Sequence, residues 1–296
     1  MGWRGAAIRA MAKRAIRFAP VALLLISSVA AAAHAETRPK RIVSINACTD
    51  QLLFALADRE QIAALTQYAV RDDFSIYTEE IAASGIKLIR GNAEEVLKLK
   101  PDLVLAGTFT RRATRELLQR HGLPLALFPP VSDVEEAKAA IRKTAELVGR
   151  QARGEALVRQ IDAALAAVSH VKVARPSVLQ IQRRGFVSGP ETLIGDLLQR
   201  LGAVNAAGKL EIPRLGRASL EAALKAKADA LVLFDPYLRP ADQGAALLSH
   251  PALADAYPPE RRIVVPGRLI VCAGPALPQA IVELAKGLAQ LSPRAP

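Results

Sequence analysis

The chain has 296 residues, a net charge of +12 and a hydrophobic content of 51%, with only 4% aromatic residues. Five of the 40 basic residues and none of the 28 acidic ones lie in the first 35 positions, which leaves a charge of about +7 on the rest. This mild charge, without a Lys/Arg-rich segment, argues against a nucleic-acid partner and favours an anionic ligand or surface. About 260 residues suffice for two cores of ordinary domain size.

The first 35 residues have the pattern of a secretory signal peptide. A basic start precedes an apolar run at positions 19–33, and Ala33-His34-Ala35 is a small-x-small cleavage site. The run of 15 residues is shorter than the roughly 20 that span a bilayer. We therefore expect cleavage before Glu36 and a soluble protein in the periplasm, with an uncleaved anchor as the alternative.

The sequence lacks the common motifs of metal, redox and nucleotide chemistry. It contains no HExxH, CxxC, GxGxxG or GxxxxGK[ST], which weakens the zinc-hydrolase, redox, dinucleotide and nucleotide-hydrolase interpretations. Three histidines follow the signal, and all are isolated: His121, His170 and His250. We expect no cofactor of the protein's own.

One stretch of the sequence occurs twice. Positions 92–107 (NAEEVLKLKPDLVLAG) predict a short helix, a turn and a buried strand, and positions 220–234 (LEAALKAKADALVLF) repeat them 127 positions later. This separation exceeds the period of about 20–50 residues in solenoid repeats. It predicts two similar α/β lobes, with coincidence between two Leu/Lys/Ala-rich helices as the alternative. The matched pairs are Glu94 with Glu221, Leu97 with Leu224, Lys98 with Lys225, Lys100 with Lys227 and Asp102 with Asp229.

In the first half, strands alternate with helices, which is typical of a parallel sheet covered by helices. Thr49 or Asp50 is expected to cap the first helix. The predicted strands are 41–46, 62–66, 87–89, 103–106 and 125–128, and the predicted helices are 51–56, 77–83 and 112–122.

The middle of the chain predicts helices at 133–148 and 151–168, without a strand. Eighteen residues at about 1.5 Å each reach about 27 Å, so the second helix can bridge two lobes stiffly. The second half predicts strands at 177–182, 186–188, 230–234 and 263–265, helices at 191–201, 241–248 and 276–291, and a loop at 266–275. The expected division is signal peptide 1–35, first lobe 36–150, connecting helix 151–172 and second lobe 173–296.

In the order and spacing of its segments, the chain resembles the periplasmic substrate-binding proteins of ABC importers for metal chelates. The segments are RIVSINACTDQLLFALADREQIAALT, NAEEVLKLKPDLVLAG, the long central helix, SLEAALKAKADALVLF and RIVVPGRLIVCAGP, and they cover positions 41–291. The family includes binders of ferric siderophores, haem and cobalamin. The resemblance implies two Rossmann-like lobes joined by one spine helix, a ligand cleft between them, and permease docking through Glu94 and Glu221. A first-turn glutamate that complements its helix dipole is the simpler interpretation of either residue.

In open α/β sheets, ligands bind beyond the carboxyl ends of the strands, which selects the loops that follow each strand. Aromatic and arginine side chains in these loops suit a large, partly flat, anionic ligand, whereas a solvated surface charge is the ordinary role of any one arginine. Arg183 and Arg268 are the preferred arginines because both follow strands directly. The candidates are Cys48, Thr49, Tyr68, Arg71, Arg90, Phe109, Arg183, Arg184, Phe186, Tyr237, Arg268 and Cys272.

The two cysteines, Cys48 and Cys272, fall on strand-following loops, one in each lobe. Small buried hydrophobes are slightly preferred, followed by a disulfide that joins the lobes, which requires Cα atoms within about 7 Å. Thiolate ligation of a soft metal or haem iron is the third possibility. Tyr68 and Tyr237 are the evident candidates for a haem ligand, and haem is not the preferred cargo.

These patterns predict a non-catalytic, monomeric binding protein. It would deliver a ferric siderophore or a cobalamin-like chelate to an inner-membrane permease, and the ligand would bring its own iron or cobalt. The rival hypothesis is a secreted enzyme with Cys48 or Cys272 as nucleophile, although no histidine follows a strand to act as its base. Direct capture of a free metal ion is the third hypothesis, for which the sequence lacks a cluster of ligands.

Overall fold

Two parallel β-sheets organise the chain, as the predicted α/β class of two parallel-sheet lobes requires. The computed structural model describes residues 38–169, 175–235, 244 and 246–291, and from Pro39 onward these belong to one compact unit. The expected signal peptide, Tyr237 and positions 241–243 and 245 of the predicted helix 241–248 lie outside the described residues, and positions 246–248 form a turn. Within the part of the chain that is described, no helix has both the length and the apolar character needed to cross a membrane.

The first lobe is a five-stranded parallel sheet in the order β3-β2-β1-β4-β5. Because the strands are parallel, their carboxyl ends meet at one edge. The strands are Ile42–Ser44 (β1), Ile62–Thr66 (β2), Leu88–Ile89 (β3), Leu103–Gly107 (β4) and Leu125–Phe128 (β5), and the helices are Ala47–Leu56 (α1), Thr78–Ala83 (α2), Ala93–Lys98 (α3) and Arg112–Arg120 (α4).

The second lobe is a four-stranded parallel sheet in the order β11-β10-β6-β8, with a two-stranded antiparallel ribbon, β7-β9, beside it. Helices Val134–Leu147 (α5) and Gln151–Val168 (α6) connect the lobes. The strands are Ser177–Gln180 (β6), Phe186–Ser188 (β7), Val204–Asn205 (β8), Leu215–Arg217 (β9), Ala230–Asp235 (β10) and Arg262–Pro266 (β11), and the helices are Leu193–Arg200 (α7), Leu220–Lys225 (α8), Pro251–Ala256 (α9), Gly267–Ile270 (α10) and Leu277–Ala289 (α11).

The sequence repeat is also a structural repeat. Asn92 caps α3 by accepting a hydrogen bond from the backbone N–H of the third helical residue (2.9 Å), and Ser219 caps α8 in the same way (3.2 Å). Two residues after the end of each helix stands a lysine with left-handed backbone, Lys100 at φ 46° and Lys227 at φ 45°. This conformation is unfavourable for a residue with a side chain, and its occurrence at both positions indicates the same turn into the following strand.

An aspartate after each turn ties the repeat to the first strand of its lobe. The Asp102 carboxylate accepts the backbone N–H groups of Lys40 (2.6 Å) and Arg41 (3.0 Å). The Asp229 carboxylate accepts the N–H of Ser177 (2.8 Å). Strand β4 therefore pairs with β1, and β10 with β6, in corresponding positions of the two sheets.

The connecting helix α6 is buried in an apolar core that includes residues of both lobes. Its buried side carries Leu157, Val158 and Ile161, and it packs against α5 and α11. A Cβ atom on Gly154 would lie 2.5 Å from the Cβ of Ala145, so the close approach of α5 and α6 requires glycine there. The helix matches the predicted span 151–168, and positions 170–172 of the expected connection lie outside the described residues.

The first helix begins earlier than the sequence pattern predicts, at Ala47 instead of position 51. Its N-cap is Asn46, whose side chain accepts from the N–H groups of Cys48 (2.9 Å) and Thr49 (3.3 Å). The expectation that Thr49 or Asp50 is the cap is therefore wrong. The Thr49 hydroxyl is instead hydrogen-bonded inside the lobe, and Asp50 is fully buried.

In the second lobe, the predicted strand 177–182 ends at Gln180, because a 3₁₀ turn follows at Arg183–Gly185, with Arg184 at φ 57°. The predicted loop 266–275 contains the short helix α10. Strands β8 and β9 are not predicted by the sequence, because two or three residues are too few to establish a period.

Candidate functional site

A cavity of about 250 Å³ lies where the two lobes meet. Its first-lobe wall follows the carboxyl ends of β1, β4 and β5, and its second-lobe wall is formed by the start of α7 and the segment after α10. The lining residues are Asn46, Cys48, Thr49, Leu52, Gly107, Thr108, Phe109, Phe128, Pro129, Pro130, Val131, Ala140, Leu193, Ile270, Val271, Cys272, Ala273 and Gly274.

The first-lobe wall is fixed by backbone geometry. Asn46 directs its amide oxygen to the start of α1, and its amide nitrogen lies against Gly107 at the end of β4. A Cβ atom on Gly107 would approach that nitrogen to 2.9 Å, so only glycine lets the two strand ends come this close. The amide of Asn46 is thus held by its capping bonds rather than free to turn into the cavity.

Phe109 is the most exposed large apolar side chain of this wall, with 86% of its surface accessible. It follows β4 directly, and Val271 of the second lobe, also exposed, lines the same cavity. Exposed apolar surface on both sides of one cavity is typical of a site that covers an apolar ligand.

Cys48 and Cys272 form a disulfide across the cavity wall, with Cα atoms 5.0 Å apart and 224 positions between them in the sequence. The slightly preferred expectation of two separate buried cysteines is therefore wrong, and so is thiolate ligation of a metal. The bridge joins the first turn of α1 to the segment after α10. While it is intact, neither sulfur is the thiolate nucleophile that the rival enzyme hypothesis requires.

The chemistry of the lining is apolar and neutral. Among its described residues there is no Asp, Glu, His, Lys, Arg or Tyr. The hydroxyl of Thr49 is bonded to Ser44 Oγ (2.7 Å) and donates to the Asn46 carbonyl (3.0 Å). In the described part of the chain, no group of three or more His, Cys, Asp or Glu side chains is arranged to hold a metal ion.

One ionisable group is buried next to this wall. Asp50, beside Thr49 in α1, accepts hydrogen bonds from the Thr66 N–H (3.2 Å) and hydroxyl (2.5 Å). Burial raises the pKa of Asp50 to about 7, against the lowering effect of hydrogen bonds from Ser44 and Thr66. The carboxyl group therefore ties the end of β2 to α1 and is not itself part of the lining.

Tyr68 and Arg71 lie at the same carboxyl edge but outside the cavity lining. The rings of Tyr68 and Phe74 are 5.0 Å apart, and the Arg71 guanidinium lies 5.6 Å and 4.9 Å from their centroids. Arg71 also forms a two-point ion pair with Asp73. The guanidinium of Arg71 is thus already engaged by side chains of its own lobe.

The remaining candidates that the structure describes are also placed outside the lining. Arg90 is exposed after β3. Arg183 and Arg184 form the 3₁₀ turn after β6, and Phe186 lies in β7 beneath the guanidinium of Arg217 (4.6 Å). Arg268 is exposed on α10, just before the lining segment. Of the predicted ligand contacts, the lining contains Cys48, Thr49, Phe109 and Cys272.

Sequence reasoning missed the apolar part of the wall. Pro129, Pro130 and Val131 follow β5, so the rule of strand-following loops applies to them, but only polar and aromatic residues were selected. Leu193 and Ala140 belong to helices, so the rule of strand-following loops does not select them. Their positions in the cavity wall depend on how the lobes pack together.

Glu94 and Glu221 occupy equivalent places, in the first turns of α3 and α8. Each helix precedes a strand of its sheet, so its N-terminus lies toward the carboxyl edge, where the cavity is. Both side chains are exposed. A hydrogen bond from Lys98 lowers the pKa of Glu94, and a hydrogen bond from Ser219 lowers that of Glu221, so both are charged at neutral pH.

Part of the chain is similar to a curated protein. A "Cobalamin-binding protein" of Halobacterium salinarum is 30% identical over 176 residues, which are 58% of this chain and 47% of that protein. The chain thus spans about half the length of the curated relatives it matches.

Solved structures share the fold over most of the chain. The periplasmic heme-binding protein RhuT from Roseiflexus sp. RS-1, in apo form, has a TM-score of 0.71 and 27% identity, over 84% of this chain and 98% of that one. A Fe3+-hydroxamate transport protein from Saccharomonospora viridis has a TM-score of 0.66 over 84% and 93%; at 20% identity it shows the fold alone. The family model described as "Periplasmic binding protein" matches residues 42–256. The chain therefore belongs to the periplasmic binding protein family.

Proposed function

We propose that this protein is the solute-binding component of an ABC importer and that it carries a metal chelate whose metal is already fully coordinated. The observation that carries the proposal is the cavity between the lobes, whose described lining is apolar and has no ionisable side chain. The described lining offers no carboxylate, imidazole or phenolate ligand to a metal ion, which supports a cargo that brings its own metal ligands. As part of the same proposal, the protein acts as a monomer without a cofactor of its own.

The size of the cavity determines how such a ligand binds. Sites for small molecules usually enclose about 300–1,000 Å³, and this one encloses about 250 Å³. A corrinoid or siderophore larger than this volume would extend over the exposed side chains of Phe109 and Val271. An exposed aromatic ring next to an apolar cavity suits the flat face of a macrocycle.

Two relatives bear on the choice of chelate. The relative from Halobacterium salinarum is named for cobalamin, whereas RhuT is a heme-binding protein. Cobalamin brings both of its axial ligands, and an apolar cavity therefore favours a cobalamin-like corrinoid.

Haem is the second candidate, and one observation favours it. Tyr68 is 45% exposed at the carboxyl edge of the first sheet, where its phenol can ligate iron, and the Arg71 guanidinium lies 5.6 Å from its ring centroid. If Tyr68 ligated the haem iron, the edge of the porphyrin would occupy the apolar cavity.

A titration with defined chelates tests the proposal. Purified protein is mixed with cyanocobalamin, with ferrichrome and with haemin, and binding is followed by calorimetry and absorbance. We expect saturable one-to-one binding of cyanocobalamin, with the chelate recovered unchanged as the mark of a carrier rather than an enzyme. Haemin binding that is lost in Tyr68→Phe would favour the second candidate, and binding of none of the three would contradict the proposal.

We further propose that Glu94 and Glu221 dock the loaded protein on its permease. Both are charged, exposed and repeated in equivalent positions at the carboxyl edges of the lobes. Glu94→Gln and Glu221→Gln together should abolish uptake of labelled cyanocobalamin by cells while leaving its affinity unchanged. Glu79→Gln, in the first turn of α2, is the control and should leave uptake intact. Loss of affinity in the double variant would contradict a docking role.

The export route belongs to the same proposal. The family is periplasmic, and residues 1–35 have the composition of a cleaved signal. N-terminal sequencing of the exported protein should therefore begin at Glu36, and a sequence that begins at Met1 would contradict cleavage.

A further inference from the structure

The disulfide has a position that the proposed function does not explain. Cys48 and Cys272 belong to different lobes and both line the ligand cavity. A bond that only stabilised the fold could join the lobes anywhere along their shared core. This one lies in the wall of the binding site.

We propose that the Cys48–Cys272 bridge is a positioning element of the binding site, which holds the segment 271–274 of the second lobe in place as a wall of the ligand cavity. The inference rests on the proposed function, because it concerns capture of the same chelate. Its consequence is that the oxidised protein binds the ligand tightly and the reduced protein binds it weakly, although both are folded.

The structure of the segment explains why it needs this bond. Residues 271–274 form neither helix nor strand, and they lie between α10, a single helical turn, and α11. Their local backbone hydrogen bonds run from Val271 N–H to the Gly267 carbonyl (3.0 Å), from Gly274 N–H to the Cys272 carbonyl (2.8 Å) and from Leu277 N–H to the Gly274 carbonyl (3.0 Å). These bonds stay within the second lobe, so none of them fixes the distance of the segment from the first lobe.

The contacts of the segment with the first lobe are close but apolar. Gly274 lies against Leu52 of α1, such that a Cβ atom at this position would be 3.4 Å from Leu52 Cδ2. Cys48 Sγ is 3.6 Å from the Val271 carbonyl oxygen. Apolar contact has no preferred direction, whereas a disulfide holds its two Cα atoms within a narrow range of distance.

The fold itself has other connections between the lobes. Helix α6 lies in the common core with α5 and α11, and the Asp196 carboxylate of α7 accepts the Val134 N–H at the start of α5 (2.9 Å). Breaking the bridge therefore releases the cavity wall while the lobes stay joined. This separates a positioning role from a general role in stability.

The experiment uses the redox state of the bridge as the variable. Dithiothreitol, a dithiol, transfers two electrons to the S–S bond, which breaks to give two cysteine thiols, while the dithiol closes to its own cyclic disulfide. The two cysteines are the only ones in the sequence, so no other disulfide in the chain responds. Cyanocobalamin affinity is measured at a series of dithiol-to-disulfide ratios, and the bridged fraction is measured by mass spectrometry after alkylation.

We expect the affinity for cyanocobalamin to fall at least about tenfold on reduction, because the free segment must be ordered again when the ligand binds. The loss should follow the bridged fraction and reverse on reoxidation. The double variant Cys48→Ser/Cys272→Ser should have the low affinity at every ratio. Equal affinity of the oxidised, reduced and double-variant proteins would overturn the proposal.

A second measurement needs no ligand. Hydrogen exchange should become faster at the amides of residues 271–274 on reduction, and remain slow in β4. Unchanged exchange at the segment would overturn the positioning role. If oxidised wild-type protein binds none of cyanocobalamin, ferrichrome and haemin, the proposed function fails, and the exchange measurement alone then decides whether the bridge holds the wall.

Discussion

The two lobes form the cavity in different ways. The first lobe contributes the ends of β1, β4 and β5, in which β4 is hydrogen-bonded to both neighbours. The second lobe contributes the first residue of α7 and a segment without regular structure, bonded to the first lobe through Cys272. The first wall is therefore held by a ladder of backbone hydrogen bonds and the second by a covalent bridge. A shared framework, visible in the sequence repeat, thus supports two unlike binding surfaces.

The largest expected effect concerns the core that the lobes share. Ile161 of α6 is fully buried, and Ile161→Ala should lower the free energy of unfolding by about 2–5 kcal/mol. Because the core includes residues of both lobes, denaturant unfolding should remain one transition. Ala167→Ser, on the exposed side of α6, should change the free energy by less than about 0.5 kcal/mol. Two separate transitions in wild type would show that the lobes are independent.

The next effect concerns the buried carboxyl group behind the first wall. Asp50 has a pKa of about 7 in the folded protein, against an ordinary value of 3.8. The folded state therefore holds the proton more tightly, and the stability from Asp50 is present below about pH 4 and lost as the pH rises to about 7. The difference in unfolding free energy between those limits is at most about 4 kcal/mol.

Asp50→Asn should remove this dependence. Urea unfolding of the variant and the wild type is compared at several pH values between 4 and 8, where the other ionisable groups are common to both proteins. We expect the wild type to lose more stability than the variant as the pH rises. Parallel profiles would contradict the assignment of the raised pKa to Asp50.

The two copies of the repeat should differ in a predictable way at their aspartates. Asp102 accepts two backbone N–H groups and Asp229 accepts one from Ser177. Asp102→Ala should lower the free energy of unfolding by roughly 1–3 kcal/mol, and Asp229→Ala by less. Chemical denaturation of both variants tests this order. A larger loss of unfolding free energy in Asp229→Ala than in Asp102→Ala would contradict it.

The smallest effect concerns the left-handed lysines. Lys100→Gly and Lys227→Gly should each stabilise the protein by about 0.5–1 kcal/mol, because glycine adopts positive φ without strain. Lys98→Gly, within α3, is the control and should destabilise by a similar amount. Thermal melts of the three variants measure the difference, and destabilisation at both left-handed positions would show that the lysine side chains are needed there.

Much of this framework is predictable from the sequence. Helix α6 has the predicted bounds because its apolar residues recur at three- and four-residue steps, and β5 and β7 also match. The repeat identified two lobes because the same buried strand follows the same helix. The caps and short strands were harder to predict, because Asn46, the N-cap of α1, lies five positions before the predicted start of that helix at position 51.

The site was predictable only in part. The rule for strand ends found Phe109, Cys48 and Thr49, since each follows a strand of the parallel sheet. The rule gives no information on the distance between the lobes. It therefore predicted neither the disulfide between residues 224 positions apart nor the position of Leu193 in the cavity wall. The same rule also selected the arginine candidates, because they lie on strand-following loops, whereas the described cavity is lined by neutral residues.

The most direct test of the account is a comparison of Phe109→Ala with Tyr68→Ala in cyanocobalamin titrations. Phe109 lines the cavity and is largely exposed, while Tyr68 lies outside the lining. We expect the affinity for cyanocobalamin to fall at least about tenfold in Phe109→Ala and to change little in Tyr68→Ala. Loss of affinity in Tyr68→Ala with full affinity in Phe109→Ala would contradict the placement of the ligand between the lobes.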